Sequence, residues 1–188
     1  MVRMDRGGWF ELFRRDAARW VQPGQWVDPP SVDPRTMVVL LLRHPPLRAM
    51  AWMRFGGWLR TRRVRGGPSW VQRRILRLYG LEVQPGAQIG GGCYIAHPSG
   101  CVIRPQRIGD DATIIAAVTI GLNKEPIWPT IGDRVFLGAG CRVLGDITLG
   151  DDVRVGANAV VLTDVPDDTT MVGIPARPVG SRGGESTP

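Results

Sequence analysis

Lysine, histidine and cysteine are all scarce in this chain, and so are long apolar runs. Of the 24 basic residues in 188, only Lys124 is not arginine. Histidine occurs twice, at His44 and His97, too few for a zinc centre of three histidine ligands. Three cysteines, Cys93, Cys101 and Cys141, are an odd number and argue against a disulfide framework. The longest apolar run, "MVVLLL" at 37–42, is far too short to span a bilayer. The first twenty residues lack the apolar core of a signal peptide, so the expected location is the cytoplasm, with the inner face of the membrane as a peripheral option. No aromatic-and-basic nucleic-acid motif is present, and no nucleic-acid partner is expected.

What is present is unevenly placed. Residues 1–80 hold 16 Arg against 5 acids, while residues 81–188 hold 8 basic residues against 12 acids. Six of the seven tryptophans lie in the first part. The pattern predicts a basic, Trp-rich helical segment over 1–80, a second domain over 81–180 and a disordered tail over 181–188. Helices are expected at 8–21, at 35–63 with a break at Pro45-Pro46, and at 70–80, with "GGPS" at 66–69 as a hinge. The arginines of this segment suit an acidic contact such as a membrane surface, or a solvated helical face, or packing against another subunit.

From Val83 the periodicity changes. Aliphatic residues recur every six positions through Val83, Ile89, Ile95 and Cys101, then, after one extra residue, Ile108, Ile114 and Ile120. The series resumes at Ile131 and runs through Leu137, Val143, Leu149, Val155 and Val161. A small or β-branched residue follows four positions after most of them. Neither a 3.6 nor a 2.0 period produces this, whereas a hexapeptide repeat coiled into a parallel β-helix does. The cysteines fall on structural positions of the repeat and read as core filler. Between Ile120 and Ile131 the spacing stretches to eleven, so "GLNKEPIWPT" is extruded as a loop carrying Trp128.

His97 stands at a corner position of its hexad, where the repeat favours small side chains. An imidazole suits a general base at neutral pH, one that takes a hydroxyl proton as the oxygen attacks an acyl carbonyl. Its orienting partner should be a carboxylate. Glu82 is the candidate, three residues beyond the position one 18-residue coil below His97; the competing reading is a solvated charge on the first coil.

The stretches "GLEVQPGAQIGGGCYIAHPSGCVI", "VTIGLN", "PTIGDRVFLGAGCRVLGDITLGDDVRVGANAVVLTDVP" and "GIPARPVG" resemble serine acetyltransferase-like hexapeptide acyltransferases, most of all the branch associated with polysaccharide biosynthesis. The resemblance covers 81–180 closely and 36–80 loosely. It implies a mainly β protein, a left-handed parallel β-helix with an N-terminal α-helical segment, built as a homotrimer with active sites between adjacent β-helices. It implies acetyl-CoA as donor, with no metal, and a small-molecule or glycan hydroxyl as acceptor. His97 matches the family's base, and Glu82 falls where the family carries the orienting Asp. Gly121, Ala139 and Ala157 match positions along the CoA channel. Arg154 and Arg177 are candidate phosphate partners or, equally, solvated charges. The departures concern the acceptor. Where serine acetyltransferases carry an Arg-His pair at the end of the loop, this chain has Ile127-Trp128, and Ala96 replaces the Asp before the base. That loss of charge complementarity to a zwitterion puts a sugar face stacked on Trp128 ahead of serine, with Asp33 as a substitute carboxylate of unassigned position. A β-helix that has lost activity and serves as a trimeric scaffold is the non-enzyme alternative.

Overall fold

The computed structural model describes residues 8–21, 32–84 and 86–179, so the expected disordered tail lies outside the described residues. Four helices are found among them: α1 (Trp9–Ala18), α2 (Pro34–Arg43), α3 (Pro45–Thr61) and α4 (Gly67–Tyr79). Asp33 starts α2 by accepting the Thr36 N–H at 2.7 Å, with Pro34 in the first turn, where its missing N–H costs nothing. His44 is extended because it precedes a proline, so Pro45 ends one helix and begins the next. The expected hinge at 66–69 is instead a helix start. Gly66 turns the chain at φ 75° and Pro68 sits in the first turn of α4, which ends on left-handed Gly80.

The helical segment is fastened to the β region by arginines. Arg54 and Asp16, 6% and 0% exposed, form a two-pronged ion pair at 2.7 and 2.9 Å. The same guanidinium donates to the carbonyls of Ile89 and Gly90, and Asp16 also accepts the Cys93 N–H. Around this buried centre, Arg15 reaches Asp110 and Asp111, while Arg19 donates to the carbonyls of Gly92 and Asp111 and to the Thr113 hydroxyl. Part of the basic surplus is therefore a clamp rather than a solvated face.

The β region is a three-faced prism. The first face stacks Glu82–Val83, Val102–Ile103, Thr119–Gly121, Arg142–Leu144 and Val160–Val161 in parallel. The second stacks Gln88–Ile89, Arg107–Ile108, Thr130–Ile131 and Thr148–Leu149. The third stacks Tyr94–His97, Thr113–Ala116, Phe136–Leu137, Arg154–Val155 and Thr170–Val172, and closes with the antiparallel Arg177–Pro178. One aliphatic side chain per strand points inward, giving on the third face the buried ladder Ile95, Ile114, Leu137, Val155, Met171.

On the first face the inward ladder is Val83, Ile103, Ile120, Val143, Val161, so Ile103 and not Cys101 fills the inward position of the second coil. Cys101 takes the small-residue position before the strand, level with Val118, Cys141 and Ala159. The six-residue series slipped because the corner after His97 is wider than those above it. Four residues separate His97 from Val102, against two between Ala116 and Thr119, although both pairs are in register. The three thiols are buried, and burial pushes Cys93 and Cys141 up to about 12 and raises Cys101, as suits core filler.

The corner between the second and third faces carries a ladder of aspartates. The carboxylates of Asp110, Asp133, Asp151 and Asp167 each accept, at 2.8 Å, the backbone N–H one coil below, from Gly91, Asp110, Asp133 and Asp151 in turn. Glycine precedes three of these four because the coils nearly touch there. A Cβ on Gly109 would stand 2.6 Å from the Gly132 carbonyl.

Candidate active site on one edge of the prism

His97 ends the third face at its lowest strand and is exposed, while Ile95, two residues earlier, is fully buried. Its carbonyl accepts the buried Cys101 thiol at 3.4 Å, and Pro98 behind it is buried, so the backbone under the imidazole is held. Directly above it stands Ala116, and the same register carries the column on through Ala139, Ala157 and Gly173. Successive coils are about 4.8 Å apart, which places Ala157 about 14 Å from the histidine level. The prism thus has one edge with an imidazole at its foot and four small residues above it. Such an edge lets an extended ligand lie close to backbone while a base waits at one end.

Two of the residues expected to line the channel, Ala139 and Ala157, belong to this column. Ala116 and Gly173 complete it and were not singled out from the sequence. Nor was Arg142, whose guanidinium donates to the carbonyls of Ala117 and Gly140 at 2.8 Å and of Cys141 at 3.3 Å. These carbonyls flank the column one and two coils above His97, so Arg142 is a fixed cation beside it. Arg177, exposed in the closing hairpin, pairs with Val172, the neighbour of Gly173, and stands at the top of the edge.

The other expected residues stand outside the column. Glu82 is not hydrogen-bonded to His97; its carboxylate faces Arg104 at 3.6 Å on the first face. The wide corner makes the coil from Glu82 to Val102 twenty residues rather than eighteen, yet Glu82 stands below Val102 and Thr119, and Thr119 is three residues past the Ala116 over His97, so the expected offset is kept. Gly121 ends a first-face strand, where a Cβ would meet open space, and Trp128 is half-buried in the loop that follows. Both belong to the edge between the first and second faces, not to the His97 edge. Arg154 begins its third-face strand and lies three positions before Ala157, on the aspartate side. Asp33 is engaged as the α2 cap, where the Thr36 N–H holds its carboxyl below the usual range.

The stack of hexads has counterparts among known proteins. The family "Bacterial transferase hexapeptide (six repeats)" matches residues 129–163. A serine acetyltransferase of Helicobacter pylori J99 is 42% identical over 144 residues, covering 74% of this chain and 84% of that protein. A soybean serine acetyltransferase complexed with serine superposes with a TM-score of 0.74 at 33% identity, covering 89% of this chain and 67% of that one. A serine acetyltransferase in complex with CoA gives 0.76 at 27% identity, covering 91% and 69%.

The fold and these relatives together define a hexapeptide-repeat acyltransferase, an enzyme drawing its acyl group from acetyl-CoA. Within that class the chain belongs to the serine acetyltransferase family.

Proposed function

We propose that the enzyme is a serine O-acetyltransferase proper, with His97 as general base and the Ala116–Ala139–Ala157–Gly173 edge as the bed for the pantetheine arm. The observation that carries the reading is the column itself, an exposed imidazole at the foot of four stacked small residues. The imidazole takes the proton from the serine hydroxyl as its oxygen attacks the thioester carbonyl. The C–S bond breaks, and the imidazolium returns the proton to the departing thiolate, giving O-acetylserine and CoA. Arg177 at the top of the edge suits a phosphate. Glu82 would orient the base only after leaving Arg104. Gly121 and Trp128 lie on a different edge, so they would reach this chemistry from a neighbouring copy, as in a trimer with shared sites. The names of the relatives support serine ahead of the sugar that the sequence favoured, and lend nothing to the polysaccharide branch. A sugar keeps one observation on its side: Ala96, Ile127 and Trp128 carry no charge for a zwitterion.

Thiol release from acetyl-CoA, followed with L-serine, N-acetylhexosamines and a water blank, tests this directly. Turnover with serine should fall about 10² to 10⁴-fold in His97→Ala. Equal rates in the two proteins would remove His97 as base. A hexosamine outpacing serine would overturn the acceptor.

A further inference from the structure

The faces of α2, α3 and α4 that turn away from the β-helix join into one surface. Between α2 and α3 a hollow of about 380 Å³ is lined by Val38, Leu41, Leu42, Arg48, Ala51 and Trp52. On α4 a second hollow, about 260 Å³, is lined by Trp70, Arg73, Arg74, Arg77 and Leu78. Trp52 and Trp70 meet edge to face at 5.7 Å, and the Arg74 guanidinium lies over both rings at 4.8 and 5.8 Å, so the walls of the two hollows are in contact. Large apolar side chains stand out along it, with Leu42 73% and Leu78 52% exposed. Contiguous exposed apolar surface of this kind marks interaction sites.

Charge decides which. Residues 32–79 contain eleven arginines and one carboxylate, Asp33, which caps α2. Among the described residues no carboxylate pairs with Arg48, Arg73 or Arg77. Two copies meeting through this face would set one arginine field against another with nothing to neutralise it. An anionic bilayer offers what the face lacks: negative charge for the guanidinium heads and an apolar interior for the leucines, with the headgroup level suiting the tryptophans. No helix among the described residues is long and apolar enough to cross a membrane, so the contact is peripheral.

We infer that the α2–α3–α4 face is a docking surface for anionic lipid membranes, held by Arg48, Arg73 and Arg77 around an apolar centre of Leu42, Trp52 and Trp70. The full chain should sediment with vesicles containing phosphatidylglycerol, not with phosphatidylcholine alone, and leave them at high salt. Each arginine near such a surface strengthens binding roughly fivefold, so Arg73→Gln with Arg77→Gln should weaken it about 25-fold. Leu42→Gln should weaken it about tenfold. Circular dichroism and thiol release with soluble acceptor should match wild type in both variants. The inference is overturned by no binding to anionic vesicles at low salt, or by binding that both variants leave unchanged. It is likewise overturned if Leu42→Gln alters the oligomeric state in sedimentation velocity, or if duplex DNA displaces the protein from vesicles at equal charge.

Discussion

The β-helix and the helical segment are held together by opposite chemistry, and each is weak where the other is strong. In the β-helix the interior is one aliphatic residue per strand, repeated on three faces, and polar work is done at the corners by aspartates accepting backbone N–H groups. In the helical segment the apolar contact is divided between two clusters, one around Phe13, Trp20 and Leu47 and the other continuous with the prism. The joint between them adds to that apolar contact one buried ion pair, Arg54 with Asp16. A repeat can lose one rung and keep its neighbours, because stability is shared along the stack. A single buried ion pair has no such reserve. The contrast predicts that the same size of lesion costs more at the joint than on the ladder.

Removing the guanidinium should have the largest effect. Arg54→Met leaves the Asp16 carboxylate buried with only the Cys93 N–H, and strips two donors from the Ile89 and Gly90 carbonyls. A loss of about 3–5 kcal/mol is expected in denaturant unfolding. Arg54→Met with Asp16→Leu should recover much of it, because the uncompensated charge goes as well. A double variant no better than Arg54→Met would mean that the carbonyl contacts, not the ion pair, hold the joint.

On the ladder, Ile103→Ala should cost about 2–5 kcal/mol, and Cys101→Ala clearly less. This pair of variants also tests the register. If Cys101 were the inward residue, the order would reverse.

That register marks how far the sequence could be read. The hexad spacing specified the parallel β-helix and the extruded loop, because inward aliphatics at a fixed period leave little choice of fold. It erred at one corner because a six-residue count cannot see a two-residue widening whose ends, Ile95 and Cys101, still happen to be six apart. Across that corner Glu82 keeps its expected place on the first face, with its carboxylate toward Arg104, a pairing the spacing gave no sign of. His97 was legible as a basic exception at a corner position, while Ala139 and Ala157 came only from the family resemblance. That the three share one edge was not legible, since a column is set by the register between coils. Arg142 gave no signal, because its role is fixed by carbonyls of two neighbouring coils. The aspartate ladder did have one, the Gly-Asp pairs at 109–110, 132–133 and 150–151, each following an inward aliphatic. The buried Arg54 looked like any other in a basic helix; burial of an arginine depends on a carboxylate 38 positions away.

The rungs of the aspartate ladder should each be worth less than the joint. Asp133→Ala removes the acceptor of the Asp110 N–H and should cost about 1 kcal/mol, read as a shift in the unfolding midpoint. Gly109→Ala on the same corner should cost more than that if the coils are as close as the glycines indicate. A shift of zero in both would mean that the coils relax apart there.

The smallest effect concerns acid. On the outside of the same corner Arg134 donates to Asp152 at 2.6–3.1 Å, and that bond, opposed slightly by desolvation, holds the Asp152 carboxyl below the usual range. The sign follows from linkage. A carboxyl depressed in the folded state contributes stability above its unfolded pKa, near 3.9, and loses it as pH falls through the lower folded value. Both side chains are about two-fifths exposed, so solvent and salt screen most of the gain. Arg134→Gln should therefore lower the thermal midpoint only slightly at pH 7, and the gap from wild type should close as pH falls below the ordinary carboxylate range. Raising ionic strength should close it at neutral pH too. The Arg54→Met deficit should persist through that salt change, because its pair is beyond the reach of solvent. A salt-sensitive Arg54 deficit would erase the distinction between a buried joint and a solvated corner.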